Sequence, residues 1–413
     1  MKFNLQKTAN PYMVFCMAWA LCLVLYVVGW SELFPKISTP LLIFLSVVIL
    51  VFLALSFFYN RIKSGTVPPD MANMKINNRA LFIFNLILWL CNFAYSGIPI
   101  LTGLRDADFG IPTVIVLATS LNSFTILCYF FTYLHSGKKI LLLNIGFCFI
   151  IFVMIISRGG IMMTASSMFF LWLTVKKPLV TFKKVLLIIA SIFFVMYLFG
   201  VAGNYRTIKD VASYTDTFDQ SYNSDIILGI GQASDSFENS IVPGEFFWSY
   251  LYITSPLSNL QYNLNRSDPP VTFNNVVSLV NNEIVFDAVS KRVDDVFNTV
   301  RKKPALIVEQ LTVCTTLAGS YLYAGWTGMI IFILFFAVIP IFYLFLINKN
   351  PLGIIGISVL CSIYFLSIFD NMLTLTGFSI QILYPFVLFY FNKIKLPTLA
   401  QIIKPVKGGT ISY

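Results

Sequence analysis

The stretch FVMIISRGGIMMTASSMFF, residues 152–170, decides how this chain folds. Arg158 stands in its middle, and between residues 141 and 175 the only other ionisable side chain is the thiol of Cys148. A lone arginine at the centre of a bilayer costs on the order of several kcal/mol. Arg158 therefore marks either a boundary between two membrane spans or a functional charge inside one.

The rest of the chain supplies the setting. Of its 413 residues, 58% are hydrophobic and 11% charged, against about 25% charged in a soluble domain. Apolar runs of about 20 residues recur, the length that crosses a bilayer as a helix. The expected fold is all-α: a polytopic transmembrane helical bundle of about ten spans. The runs fall at residues 11–30, 39–59, 80–102, 111–133, 140–157, 160–175, 185–203, 322–346, 352–369 and 374–391. The first has no small-residue cleavage site, so it reads as a retained span rather than a signal peptide. Gly97, Pro99 and Gly103 predict a kink at the end of the third.

Charge sets the orientation. With the N-terminus cytoplasmic, the inner segments carry 17 basic residues against one acid, Asp70, and the outer segments carry 11 basic residues against 17 acids. Lys and Arg in the short loops alone agree with this arrangement, which places both termini inside. The net charge of +10 is then an orientation signal and a contact with anionic lipid, not a sign of nucleic-acid binding. The expected organisation is spans 1–7 over residues 1–203, a large external loop over 204–321, spans 8–10 over 322–392 and a basic tail over 393–413.

The seven cysteines are irregularly spaced, six of them in apolar runs, and form neither a disulfide framework nor a zinc pattern. No metal, nucleotide or other cofactor is expected.

The external segment is too long and too patterned for a linker. FFWSYLYITSPLSNLQYNL, residues 246–264, is apolar but interrupted by Pro256, so it reads as an interfacial or re-entrant piece. Downstream, Val277, Val280, Ile284, Val285, Val289, Val293, Val296, Phe297 and Val300 recur at three and four, predicting an amphipathic helix. Tyr205, Trp248 and Tyr250 among Asn, Ser and Asp suit stacking on sugar faces, or serve as interfacial anchors.

In this topology Arg158 falls in a tight external turn, SRGG, residues 157–160, between spans five and six. Arg206 follows span seven, and Arg105, Arg266, Arg292 and Arg301 lie further along external segments. A guanidinium at that depth pairs bidentately with phosphate, or snorkels to lipid headgroups. Asp370, Glu245 and Glu283 are the external carboxylates that serve either as a base toward a hydroxyl or as partners of these arginines. The only histidine, His135, falls on the cytoplasmic side.

The stretches SRGGIMM, GNYR, YITSPLSNL and LTVCTTLAGSYLYAGWTG, in this order of spans and loops, resemble the Wzy-type O-antigen polymerases. That resemblance implies a GT-C-like, metal-independent glycosyltransferase of the bacterial inner membrane with its site facing the periplasm. Its substrates would be glycans on undecaprenyl diphosphate, the growing chain passing en bloc onto a hydroxyl of a new lipid-linked unit. A chain-length regulator is a further implied partner. Arg158 and Arg206 carry over to stabilise the leaving diphosphate, with Asp370 as the third catalytic candidate. Tyr205, Trp248, Tyr250, Arg266, Arg292 and Arg301 are the substrate-binding candidates. The chain departs from the family at two points. None of the six external arginines has Gly eleven residues later, so the paired Arg-x10-Gly motif of some members is absent, and Ala324 stands where many members have an acid. An O-antigen ligase and a lipid-linked sugar flippase are the alternatives. A ligase would need an external histidine, and a transporter would show internal repeats that this sequence lacks.

Overall fold

The computed structural model describes residues 2–66, 77–102, 109–212, 225–297, 301–347 and 350–393. The basic tail beyond residue 393 and Arg105 lie outside this set, as does the side chain of Arg206. The chain is a helical membrane protein. Its first helices are α1 Pro11–Val28, α2 Thr39–Thr66, α3 Asn78–Ser96, the short α4 Pro99–Thr102, α5 Val114–Ser136, α6 Ile140–Met154, α7 Arg158–Lys176 and α8 Phe182–Ala212. The middle of the chain forms α9 Asp225–Ile230, α10 Asp235–Glu238, α11 Glu245–Arg266, α12 Phe273–Leu279 and α13 Asp287–Phe297. The last helices are α14 Thr316–Leu346, α15 Gly353–Leu366, α16 Thr376–Ser379 and α17 Tyr384–Lys393.

Among the described residues, six helical stretches are long and apolar enough to cross a membrane: α1, α2, α3 with α4, α5, α8 and α14. Helices α6 and α15 are apolar but only 15 and 14 residues long, about 21–23 Å at 1.5 Å per residue. Among the described residues the β-structure is a two-stranded antiparallel ribbon of β1 Lys2–Asn4 and β2 Leu179–Thr181 and an isolated bridge between Ser31 and Ala233.

Local chemistry sets the helix ends. Asn10 caps α1, its Oδ1 accepting from the Tyr12 N–H at 3.0 Å, with Pro11 at the first helical position. Gly29 closes the same helix in the left-handed region, at φ 69°. The expected kink after the third span is a break, where Gly97 ends α3 with its N–H on the Phe93 carbonyl and α4 restarts at Pro99.

The core is built around α15, which is buried along almost its whole length between α1 and α7. Phe336 stacks on Tyr364 at 3.9 Å, and Tyr12, Phe15 and Phe52 close round that pair. Helix α8 is the opposite case: its residues from Phe182 to Val195 are nearly all exposed, and it joins the bundle mainly through α11. Gly200 and Gly203 allow that contact, since a Cβ would fall 1.9 Å from the Glu245 carbonyl oxygen at one and 2.3 Å from the Trp248 indole at the other.

Three sequence expectations need correction. Residues 246–264 are not interrupted at Pro256; they lie within α11, a 22-residue helix that runs through the proline. Packing overrides the lost backbone bond, because 13 of its residues are buried against the bundle. Its Asn259 and Asn263, one turn apart, hold the irregular segment 305–313: Asn259 bonds Ile307, Leu311 and Val313, and Asn263 bonds both backbone groups of Ala305. The amphipathic pattern of residues 277–297 is not one helix either. It breaks at a π-helical turn over Val280–Ile284, and Val285 leaves the helix in an extended conformation. Finally, the tenth expected span, residues 374–391, is not one helix: it is broken into the short α16, a 3-10 turn over Ile380–Ile382 and α17, with α16 packed on α5 and Thr374 and Thr376 bonded to the start of α13.

Candidate functional site

The SRGG turn is built by a strained reversal. The Ile156 N–H donates to the Val153 carbonyl and the Ser157 N–H to the Phe152 carbonyl, both at 2.9 Å. Ile156 is thereby forced to φ 54°, a conformation costing a β-branched residue about 1–3 kcal/mol. Ser157 then caps α7, its Oγ accepting from the Gly160 N–H at 3.3 Å. The two glycines differ in role. A Cβ at Gly160 would strike the Phe152 ring at 2.8 Å, whereas one at Gly159 would meet open space. Arg158 is the first residue of α7 and is exposed. A cation there opposes the helix dipole, so its place is not explained by helix stability.

Ser157 and Gly159 line a cavity of about 820 Å³. Its other walls include Thr113 before α5, Asp287, Lys291 and Arg292 on α13, and Thr376 of the refolded tenth segment. Arg292 Nη2 donates to Thr113 Oγ1 at 3.1 Å, and Thr113 itself is held at φ 68°. Thr113, a β-branched residue in the left-handed region, thus lines the cavity, and Ile156, another, immediately precedes its wall residue Ser157. Strain concentrated in this way is a feature of functional sites. The cavity joins a helix N-terminus to two cations, a combination that favours an anion.

Helix α13 is held in place from both ends. Residues 374–376 cap its start: the Asp287 N–H donates to the Thr374 carbonyl and the Ala288 N–H to Thr376 Oγ1, both at 2.9 Å. Arg301 ties its buried polar side, bonding Asp294 Oδ2 at 2.7 Å, Asp287 Oδ1 at 2.9 Å and the Ser290 hydroxyl. Partial burial works against the charge on Arg301, but the two carboxylates outweigh it and hold the guanidinium protonated. The helix therefore turns its polar side inward and leaves Val289, Val293, Val296 and Phe297 exposed.

Beside Asp287 lies a second pair of carboxylates. Glu283, in the π-helical turn, sits against Gly319 of α14, where a Cβ would come within 2.0 Å of its Oε1. Asn371 Nδ2 donates to the Glu283 backbone carbonyl at 2.8 Å and to Oε2 at 3.0 Å. Burial raises the Glu283 carboxyl to about 7; the Asn371 bond opposes that rise, Asp370 and Asp287 add to it, and Arg301 works against it. Asp370 keeps access to solvent, yet the protein around it and then Asp287 push its carboxyl up, against the pull of the Asn371 N–H at 2.7 Å.

The sequence candidates fall into separate groups. Arg292 lines the cavity, Arg158 sits at its edge beside Ser157 and Gly159, and Asp370 and Arg301 stand in the adjoining carboxylate cluster. Tyr205 and Arg206 lie instead on α8, and Trp248 and Tyr250 on α11. Arg206 follows the apolar span Phe182–Tyr205, and the helix itself runs on to Ala212. Tyr205 is exposed, and Trp248 packs on Gly203. Tyr250 is taken up by packing: it is 2% exposed, and its hydroxyl accepts from the Trp30 N–H at 3.0 Å. Arg266 stacks locally on Tyr262, 5.3 Å from the ring centre, and is not among the residues lining the cavity. Lys291, Asn371, Thr376 and Gly319 were not singled out from sequence. The Lys291–Arg292 pair was the available signal for the cavity, but nothing local tied Gly319 to Glu283.

Comparison with protein-family models, with curated proteins and with solved structures returns no match.

Proposed function

We propose that the protein polymerises lipid-linked oligosaccharide repeat units. A growing glycan on undecaprenyl diphosphate is transferred en bloc to a hydroxyl of a second lipid-linked unit, on the periplasmic face of a bacterial inner membrane. The observation that carries this reading is the cavity lined by Asp287, Lys291 and Arg292 of α13 and by Ser157 and Gly159 at the start of α7. Charge develops on the leaving diphosphate, and fixed cations aimed at it lower the barrier. The acceptor hydroxyl must lose a proton, and the carboxylates beside the cavity supply sites for it.

The orientation expected from charge places this end of the bundle outside. It also sets His135 at the far end, on the last turn of α5 with Nδ1 2.8 Å from the Phe131 carbonyl. A ligase relying on an external histidine is therefore the weaker reading. Deleting the gene tests the proposal: glycan should accumulate as single repeat units on lipid or core, and long chains should vanish. Long chains persisting in the deletion would refute it. Single units stranded on the cytoplasmic face would point to a flippase.

A further inference from the structure

We infer that Glu283 is the proton acceptor of this reaction, with Gly319 and Asn371 built around it to aim its carboxylate. The inference rests on the polymerisation reading. In the transfer, the acceptor O–H proton passes to the Glu283 carboxylate while the hydroxyl oxygen bonds to the anomeric carbon of the growing chain. The bond from that carbon to the diphosphate oxygen breaks, and its electron pair leaves with the diphosphate, beside Lys291 and Arg292.

Three observations single out Glu283 among the external carboxylates. First, the backbone is deformed to present it. The π-helical turn ends with Val285 extended, and a side chain on residue 319 would occupy the space its carboxylate fills. Second, Asn371 is 6% exposed, and its amide spends two bonds on Glu283, while its own Oδ1 finds no partner among the described residues. The Thr316 hydroxyl, one turn before Gly319, is likewise buried and unpartnered among the described residues. Buried polar groups without partners are rare, and those retained need an explanation such as a ligand. Third, the two carboxylates of α13 are otherwise committed: Arg301 holds both Asp287 and Asp294.

The charged and titratable groups facing Glu283 are Asp370 from the refolded segment, Asp287 and Asp294 on α13, Arg301, and Tyr323 on α14, which Lys302 covers. Cys314 lies beside Asp370, and its thiol is pushed up to about 12, mainly by burial. Thus Glu283 titrates near neutrality while Arg301 stays charged. A base with this poise is half ionised at the working pH of most enzymes.

The test uses the full-length protein in proteoliposomes, supplied with lipid-linked repeat unit extracted from a strain lacking the gene. Wild type must first give a ladder of chain lengths; no ladder at all would sink the polymerisation reading itself. Given a ladder, Glu283→Gln should lose at least about 100-fold in elongation rate while still retaining the lipid-linked unit in a pull-down. Glu283→Asp should keep measurable activity. The wild-type rate should rise with pH through about 7, and the residual rate of Glu283→Gln should lack that rise. A Gln variant within twofold of wild type, or a wild-type profile flat from pH 6 to 8 on the order-of-magnitude scale of one ionisation, overturns the assignment. If the Gln variant fails to insert, the wild-type and Asp profiles decide alone.

Discussion

Glu283 occupies space that a side chain on residue 319 would need: its Oε1 lies 2.0 Å from where the Cβ of an alanine there would stand. Gly319 is in the first turn of α14, in ordinary helical structure, so no unusual backbone angle demands glycine. The demand comes from the carboxylate alone. Gly319→Ala should therefore leave membrane insertion and yield near wild type but cut elongation by at least about 100-fold. Combining it with Glu283→Asp, which withdraws the carboxylate by one methylene, should restore part of the loss. A Gly319→Ala protein with full activity would show that the contact is incidental.

Stability should move opposite to activity. Burial lifts the Glu283 carboxyl to about 7, above its value in the unfolded chain. The native state then binds the proton more tightly. Its contribution to stability is full at pH 4, below the unfolded value, and is lost as pH rises through about 7. Glu283→Gln removes that loss. Its Tm should exceed wild type at pH 8, with the gap closing below about pH 5. Thermal unfolding in detergent at the two pH values measures it. Equal gaps at both would mean that the side chain is not titrating in this range.

The Arg301 pairs should be costly to break. Asp294 is nearly buried, and the guanidinium satisfies it together with Asp287 and Ser290. Removing one partner of a buried pair costs about 3–5 kcal/mol, less here because Arg301 itself is about one-third exposed. Arg301→Ala should expose α13 to limited proteolysis, and Arg301→Lys should rescue it only in part, because a point charge cannot bridge two carboxylates bidentately. Asp294→Asn in the Arg301→Ala background should recover resistance, since it removes the stranded charge.

The helical membrane class was legible in the sequence because it rests on composition and on the lengths of apolar runs. The capped start of α1 at Asn10 and the break at Gly97 were also local signals. What the sequence obscured depends on long-range packing. Pro256 reads as a helix breaker, but burial on α1, α8 and α14 carries α11 through it. The valine periodicity of residues 277–297 reads as one helix, yet residues 371–376 bond to Glu283, Asp287 and Ala288 around the π-turn break. The cavity arises for the same reason: Thr113, Ser157, Arg292 and Thr376 are far apart in sequence, and only the fold brings them together. Arg158 was visible because a charge in an apolar run is conspicuous, whereas Gly319 was not, because its partner lies 36 residues away.

Arg158 and Arg292 should contribute to the same step in different ways. Arg158 opens α7 beside the capped turn, where the first N–H groups of the helix have no acceptor within it. An anion there meets the helix end and the guanidinium together. Arg292 is oriented by Thr113, so its charge is fixed on the α13 wall of the cavity. If both address the leaving diphosphate, Arg158→Ala should nearly abolish elongation, and Arg158→Lys should recover only a fraction, the lysine replacing charge but not the bidentate fork. Arg292→Ala should raise the concentration of lipid-linked unit needed for half-maximal rate, with a smaller loss at saturation. Inorganic pyrophosphate should inhibit wild type competitively and Arg292→Ala weakly. The pattern matters more than either loss alone. If Arg158→Lys restores full activity and pyrophosphate inhibits both proteins equally, the arginines act only as interfacial charges.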